Sequence, residues 1–248
     1  MEKYEYTTLF HVEDTYWWYV GLHHMILAMM KRMEGKSGNT SRILDAGCGT
    51  GRMTQLATKR GYALTPMDLA PEAIGFLKER DIHASVRASI LDIPFCADYF
   101  DGAISLDVVC CLERADAPKA LAEIYRVLRP GGRFIIEVPA YESLRSEHDT
   151  AVHTRHRYRR CELRRLLEQA GFHIERATYR NTFFFPLAIL VRLIKKPHPA
   201  GREPISDLKL LPAIPNAILT WFLKAENWLV AKGISLPFGL SVFIVGRK

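Results

Sequence analysis

Short continuous apolar runs alternate along this chain with helical stripes of apolar residues, and that alternation predicts the architecture. RILDAGCG, from Arg42, reads as a short apolar strand ending in glycines, and RMTQLATKRG follows as a helix stopped at Gly61. YALTPMD predicts a second strand, PEAIGFLKERD a helix begun by Pro71, and HASVRASI a third strand. FDGAISLDVVCCL reads as a fourth, buried strand, APKALAEIYRVLRPGG as a helix ended by Pro130 and two glycines, and RFIIEVPA as a fifth strand. CELRRLLEQAG is amphipathic with Gly171 as its stop; FHIERATYR and LSVFIVGR complete the strands. Strands alternating with helices at this spacing predict an α/β fold with a doubly wound, mostly parallel, seven-stranded sheet.

Two stretches fall outside that alternation. Residues 4–34 read as helical, with Tyr16, Trp17, Trp18 and Tyr19 clustered before LHHMILAMMKRM and the polar break GKSGNTS. Residues 181–236 hold the apolar segment FFFPLAILVRLI, a proline-rich connector and the helix NAILTWFLKAENWLVAKG. The chain therefore reads as one domain over 1–248: an N-terminal helical cap (1–40), a core (41–180), a helical insertion or lid (181–236) and a last strand (237–248). The run from Phe183 to Ile194 is about twelve residues and contains Pro186 and Arg192, whereas a bilayer span needs about twenty. Two readings stay open for it: a helix packed over the sheet, or an apolar surface that admits a lipid-like molecule or rests on a membrane.

A content of 48% hydrophobic and 25% charged residues in 248 predicts an ordinary globular protein and excludes a disordered or fibrous one. The formal charge of +7 is compatible with acidic partners without choosing among nucleic acid, anionic lipid and an anionic substrate. MEKYEYTTLFHVEDTYWWYV carries acidic residues where a signal peptide needs a basic flank and an apolar run, which predicts a cytoplasmic protein. The five cysteines (Cys48, Cys96, Cys110, Cys111 and Cys161) have no CxxC spacing, so neither a disulfide framework nor a zinc site is indicated.

The chemistry concentrates in ILDAGCGTG, whose glycines are Gly47, Gly49 and Gly51. Asp45 closes the first predicted strand, and Asp68 ends the second about twenty residues later, where such folds hold a ribose. Glycines let the backbone approach a ligand closely, and Asp45 can face an ammonium group. Here the sequence resembles the class I S-adenosylmethionine-dependent methyltransferases, over roughly residues 40–180 and the final strand. ILDAGCGTG is similar to the family's first motif, MDLAPEAI to its ribose-binding second, and RVLRPGGRFIIEVP to the segment leading into its fifth strand. The resemblance implies S-adenosylmethionine as cofactor, S-adenosylhomocysteine as product, and no metal. It implies that Gly47, Gly49 and Gly51 line the methionine and ribose portion, with Cys48 and Leu106 in the same pocket. Asp68 then holds the ribose and Leu69 packs on adenine. Where many relatives have an acidic residue against the adenine amino group this chain has Ser89, leaving Ser89 and the Ile90 backbone for that contact. Where relatives carry Glu-His this chain has Cys110 and Cys111, and Asp107 just before them stays a candidate near the methionine end.

A narrower likeness, in WWY, VPAYESLRSEHD and RHRYRRCELRRLLEQAGF, resembles a branch of small methyltransferases of bacterial secondary-metabolite or cell-surface assembly. That branch has histidine where Thr154 stands, flanked here by His153 and His156. Methyl transfer from a sulfonium requires the protein to position the acceptor and, for a hydroxyl, to remove a proton, a task suited to histidine. His148, with Asp149 to orient it, and His153 are the candidate bases beside Asp107. Tyr16, Trp17 and Trp18 are read as an aromatic lid, Arg155 as a clamp for an anionic group, and Tyr141 and Tyr158 as acceptor contacts. Each has a plainer alternative: a loop histidine capping a turn, a solvated arginine face, aromatics anchoring the first helix. The expected partner is a small, partly apolar methyl acceptor, with peripheral membrane contact open. An RNA acceptor is the alternative disfavoured by the lack of an RNA-binding module or an Asn/Asp-Pro-Pro-aromatic tetrad. A non-catalytic S-adenosylmethionine-binding partner protein is the alternative that Cys110 and Cys111 in place of Glu-His leave open.

Overall fold

The computed structural model describes residues 1–31, 41–194 and 211–248. The strands are β1 (Arg42–Ala46), β2 (Ala63–Asp68), β3 (Val86–Arg87), β4 (Phe100–Leu106), β5 (Leu128–Pro139), β6 (His173–Arg180) and β7 (Ser241–Arg247). They form one sheet in the order β3-β2-β1-β4-β5-β7-β6. The first five are parallel, and β7 enters antiparallel between β5 and β6. The order reverses at β1, which leaves a crevice at the carboxyl ends of β1 and β4.

Side chains alternate across the strands, so each face of the sheet builds its own core. Leu44, Phe134, Ile136, Val242 and Ile244 pack under α5 (Ala117–Val127) and α7 (Arg160–Gln169). Ile43, Ile104, Ile135, Phe243 and Val245 pack under α2 (Trp17–Met30), α3 (Arg52–Thr58) and α9 (Ala213–Ala231). The remaining helices are α1 (Lys3–Val12), α4 (Pro71–Glu79), α6 (Glu147–Ala151) and α8 (Phe185–Ile194).

The stretch expected to be helical over 4–34 forms two helices, α1 and α2. The chain leaves α1 through Glu13, Asp14 and Thr15, and Tyr16 is extended at φ −66°, ψ 124° before α2 starts. Glu13 turns inward, and this fixes the break. The expected third strand shrinks to Val86–Arg87, an edge ladder that reaches only Met67 and Asp68. With only Val86 and Ile90 β-branched among alanine, serine, histidine and arginine, that segment has little to pack on a pleated surface. The helix expected to run to Pro130 stops at Val127, because Leu128 is already extended and pairs with Phe100. Pro130 disfavours helical backbone at Arg129, so RPGG becomes part of β5. α6 was not anticipated. The polar break GKSGNTS, apart from Ser41, and most of the proline-rich connector lie outside the described residues. Among the described residues no helix is long and apolar enough to cross a membrane.

A buried polar network ties β5, β6, α9 and α2 together. Arg180 and Glu137, each 1% exposed, pair through the guanidinium Nη1 and Oε2. Arg180 Nη2 also donates to Asn227 Oδ1 at 3.2 Å, and Asn227 Nδ2 donates to the Gly21 carbonyl at 2.7 Å. The neighbouring Glu226 accepts the backbone N–H groups of Asn181 (2.5 Å), Thr182 (2.8 Å) and Phe183 (3.3 Å), which fixes the start of α8 on α9. A charge withdrawn this far from water persists only when it is paired and hydrogen-bonded.

Candidate functional site

A cavity of about 840 Å³ opens at the carboxyl ends of the strands, under a roof made by α1 and α2. Its floor is the turn after β1. Gly47 and Cys48 donate their N–H groups to the Met67 carbonyl at 2.7 and 3.0 Å, which pins the turn to β2. Gly47 has φ +88°, and a Cβ there would lie 2.2 Å from Cγ2 of Val108. Gly47→Ala combines left-handed strain with that overlap, and a urea melt is expected to show a loss of about 2–4 kcal/mol. Gly49, at φ +55°, is different: no atom lies within 4 Å of the place its Cβ would take, because that place is open cavity.

Two carboxylates flank this opening. Asp45, 2% exposed at the end of β1, accepts the Thr54 hydroxyl at 2.6 Å. Burial pushes its carboxyl up to about 7, with Asp68 adding to the rise and the Thr54 bond opposing it. Asp68, ending β2, accepts the N–H of Gly49 on Oδ2 and that of Ala70 on Oδ1, both at 2.9 Å. Burial raises its pKa, against these backbone bonds. Each of its oxygens keeps a lone pair for a further donor. Leu69, 63% exposed beside it, offers an apolar face, and Ser89 and Ile90 continue the wall.

The roof is locked to the turn by Glu13, which also lines the cavity. Its carboxylate accepts the Thr50 hydroxyl and a 2.5 Å bond from Arg80, while Arg80 Nε donates to the Thr50 carbonyl at 2.9 Å. Tyr6 and Leu9 of α1 and Tyr19, Leu22 and His23 of α2 complete the roof. Burial holds His23 near a pKa of about 3, so it lines the cavity as a neutral imidazole.

At the other end stand Leu106 and Asp107. Asp107 has φ +56°, an unusual conformation for a residue with a Cβ. Its side chain opens on the cavity, yet the protein packed around it, then the Glu137 charge, push its carboxyl up to about 7 against Arg157 and Arg180. His148 also lines the cavity, and its Nδ1 is buried with no hydrogen-bond partner among the described residues. Asp149 does not orient it. Asp149 is taken by Arg157, whose Nε and Nη2 reach the two carboxylate oxygens at 2.8 and 3.0 Å, and by the Ser146 N–H at 2.6 Å in a capping box.

Asp45, Gly47, Cys48, Gly49, Asp68, Leu69, Ser89, Ile90, Leu106, Asp107, His148, Tyr16 and Trp18 thus share one cavity wall. Six expected residues lie elsewhere. A Cβ on Gly51 would meet Leu77 Cδ2 at 2.3 Å, so this glycine makes room for α4. Trp17 packs on Phe184, ring centroids 4.7 Å apart. Tyr141 stacks on Tyr179 at 5.2 Å, and Tyr158 is buried in the core under α7. His153 pairs with Glu2 at 2.8 Å and Arg155 with Glu113 at 2.5 Å, both on the surface. Thr154 does line the cavity. Glu13, Thr50, Tyr6, Tyr19 and His23 were not anticipated from the sequence, although Thr50 stands inside ILDAGCGTG.

Crevice, glycine turn and acidic strand ends together define a class: a doubly wound α/β protein built to hold a nucleoside-bearing cofactor. Residues 44–136 match the family model described as a methyltransferase domain. The malonyl-[acyl-carrier protein] O-methyltransferase of Serratia marcescens is 37% identical over 117 residues, 46% of this chain and 45% of that protein. The chain thus spans about half the length of the curated relatives it matches. A methyltransferase structure from Thermotoga maritima superposes with a TM-score of 0.59 at 18% identity, over 98% of this chain and 95% of that one. The 1,6-didemethyltoxoflavin-N1-methyltransferase of Burkholderia thailandensis, with S-adenosylhomocysteine bound, superposes at 0.56 and 17% identity over 99% and 86%. Residues 44–136 are thus matched as a methyltransferase domain, and the fold around them is one that solved methyltransferase structures share.

Proposed function

We propose that this protein transfers the methyl group of S-adenosylmethionine to an oxygen or nitrogen of a small, partly apolar molecule. The observation that carries the reading is the convergence of Asp45, the open space over Gly49, and Asp68 on one side of a cavity whose other side holds Asp107 and His148. The residues fit the cofactor. Asp68 would take the ribose hydroxyls, Leu69 an adenine face, and Asp45 the ammonium group, while the space over Gly49 admits a chain that any Cβ would exclude. When bound, the cofactor supplies an electrophilic methyl group.

The acceptor would occupy the remainder of the cavity, which at 840 Å³ sits high in the range of about 300–1,000 Å³ usual for small-molecule sites. Tyr16, Trp18, Tyr19, Val108, Leu112 and Val152 give that part an apolar wall. Asp107, with a pKa near 7, and His148, with an unpartnered ring nitrogen, are the groups able to take a proton from an acceptor hydroxyl or amine. An O-methyltransferase and an N1-methyltransferase among the similar proteins support either acceptor atom. The basic stretch near residue 155 is largely engaged within the molecule, Arg155 by Glu113 and Arg157 by Asp149, which favours a small acceptor over RNA.

Titration calorimetry of the full chain with S-adenosylmethionine, S-adenosylhomocysteine and NAD tests the reading. Binding of the first two and not the third supports it, and binding of none overturns it. Protons give a finer check. At pH 6 Asp45, with its pKa near 7, is mostly protonated in the free protein. An ammonium group beside it favours the carboxylate, so binding is expected to release about one proton per cofactor. The release should fade above pH 8, where Asp45 is already ionised, and be absent in Asp45→Asn. Titrations in buffers of different ionisation enthalpy measure it directly.

A further inference from the structure

Helices α8 and α9 carry an apolar surface that the described residues leave exposed. On α9 the side chains of Ile214, Ile218, Trp221 and Trp228 recur at helical spacing along one stripe and are 76%, 51%, 64% and 60% exposed. Leu187 and Leu190 of α8 are likewise more than half exposed, and Phe183 meets Phe222 with ring centroids 6.1 Å apart, which joins the two stripes. Soluble monomers rarely expose an apolar patch of this kind without a use for it.

The charges around the patch say what covers it. The exposed charged side chains of α9 and its C-cap are Lys224 and Lys232; the one acid of α9, Glu226, is fully buried in the clamp on α8. Lys232 lies at the end of the stripe, its ammonium 5.7 Å from the Trp228 ring, and Lys224 lies at its border. Apolar residues and tryptophan with lysine at the margin among the described residues, on a chain of net charge +7, match the interface of an anionic bilayer. A protein partner would leave these cations to be matched one by one, whereas lipid headgroups match them wherever the lysines reach.

The same helix is wired to the cavity. Asn216 of α9 accepts the Trp17 N–H on Oδ1 at 2.9 Å and donates from Nδ2 to the Thr15 carbonyl at 2.8 Å. It thereby holds the turn that presents Tyr16 and Trp18 to the cavity. We propose that the apolar face of α8 and α9 docks on an anionic membrane surface, and that the methyl acceptor is an amphiphile delivered from it. The second clause rests on the methyltransferase reading; the docking does not.

The test is cosedimentation of the full chain with vesicles of phosphatidylcholine alone and of an equal mixture with phosphatidylglycerol. The expected result is pelleting with the mixed vesicles, a blue shift of tryptophan emission, and weakening by salt. Trp221→Ser with Trp228→Ser, and separately Lys224→Glu with Lys232→Glu, should each weaken binding about tenfold or more. All four side chains are exposed, and retained binding of S-adenosylhomocysteine shows that the variants are folded. Absence of pelleting by a protein that still binds S-adenosylhomocysteine overturns the docking and leaves the methyltransferase reading intact. Sedimentation as a dimer that the tryptophan variant dissociates, with no vesicle binding, also overturns it by assigning the face to a second copy.

Discussion

Asp68→Ala is expected to weaken binding of S-adenosylmethionine and S-adenosylhomocysteine by about 100-fold or more, measured by calorimetry on the folded variant. Hydrogen bonds to a charged group are worth about 1.5–3 kcal/mol each, and a ribose diol offers two hydroxyls to this carboxylate. The alanine removes both acceptors. It also frees the N–H groups of Gly49 and Ala70 that Asp68 now receives, so the glycine turn loses one of its ties to β2. Asp68→Asn keeps one oxygen and should lie between the two. Unchanged affinity in the alanine variant would remove Asp68 from the ribose role.

The second large effect is on stability. Arg180→Met should destabilise the protein by about 3–5 kcal/mol in a urea melt, because it leaves the Glu137 carboxyl without its partner in the core. Arg180→Met combined with Glu137→Leu should recover most of that loss, since neither member of the pair is then left buried without the other. Asn227 stays in place through its bond to Gly21 in both variants. If the double variant is no more stable than the single one, the burial of Glu137 is not what the arginine offsets.

What could be read from the sequence follows a physical divide. The glycine turn and the acids at the ends of β1 and β2 announce themselves because strand ends and turns are local: a glycine at φ +88° and a carboxylate one residue past an apolar run are set by their immediate neighbours. Residues that reach the cavity from afar are silent. Glu13 enters the site only because α1 docks on α4 and the turn, and nothing within ten residues of it signals Thr50 or Arg80 as partners. Adjacent positions also part company. Trp18 faces the cavity and Trp17 faces Phe184, since successive residues of a helix point about 100° apart.

The stretch from Tyr141 to Tyr158 was misread where competition among neighbours decides the outcome. His148 and Asp149 look like a base and its orienting acid, but Arg157 offers Asp149 two charge-assisted bonds and wins it. Ser146 followed three residues later by Asp149 is a local signal for the start of α6, one that the reading of the sequence did not use. Arg155 and His153 carried the right chemistry on the wrong side of the chain.

The place of β7 in the sheet has a consequence for the growing polypeptide. Emerging from the ribosome, β5 and β6 each present an unpaired edge, and the strand that closes both is made after them. Asn216, which steadies the roof of the cavity, is also synthesised late. A nascent chain can therefore have its glycine turn and both strand-end acids in hand and still be unable to retain a cofactor. Stalled at residue 235, it is expected to be protease-sensitive and to sit as a client of chaperones that bind exposed strands.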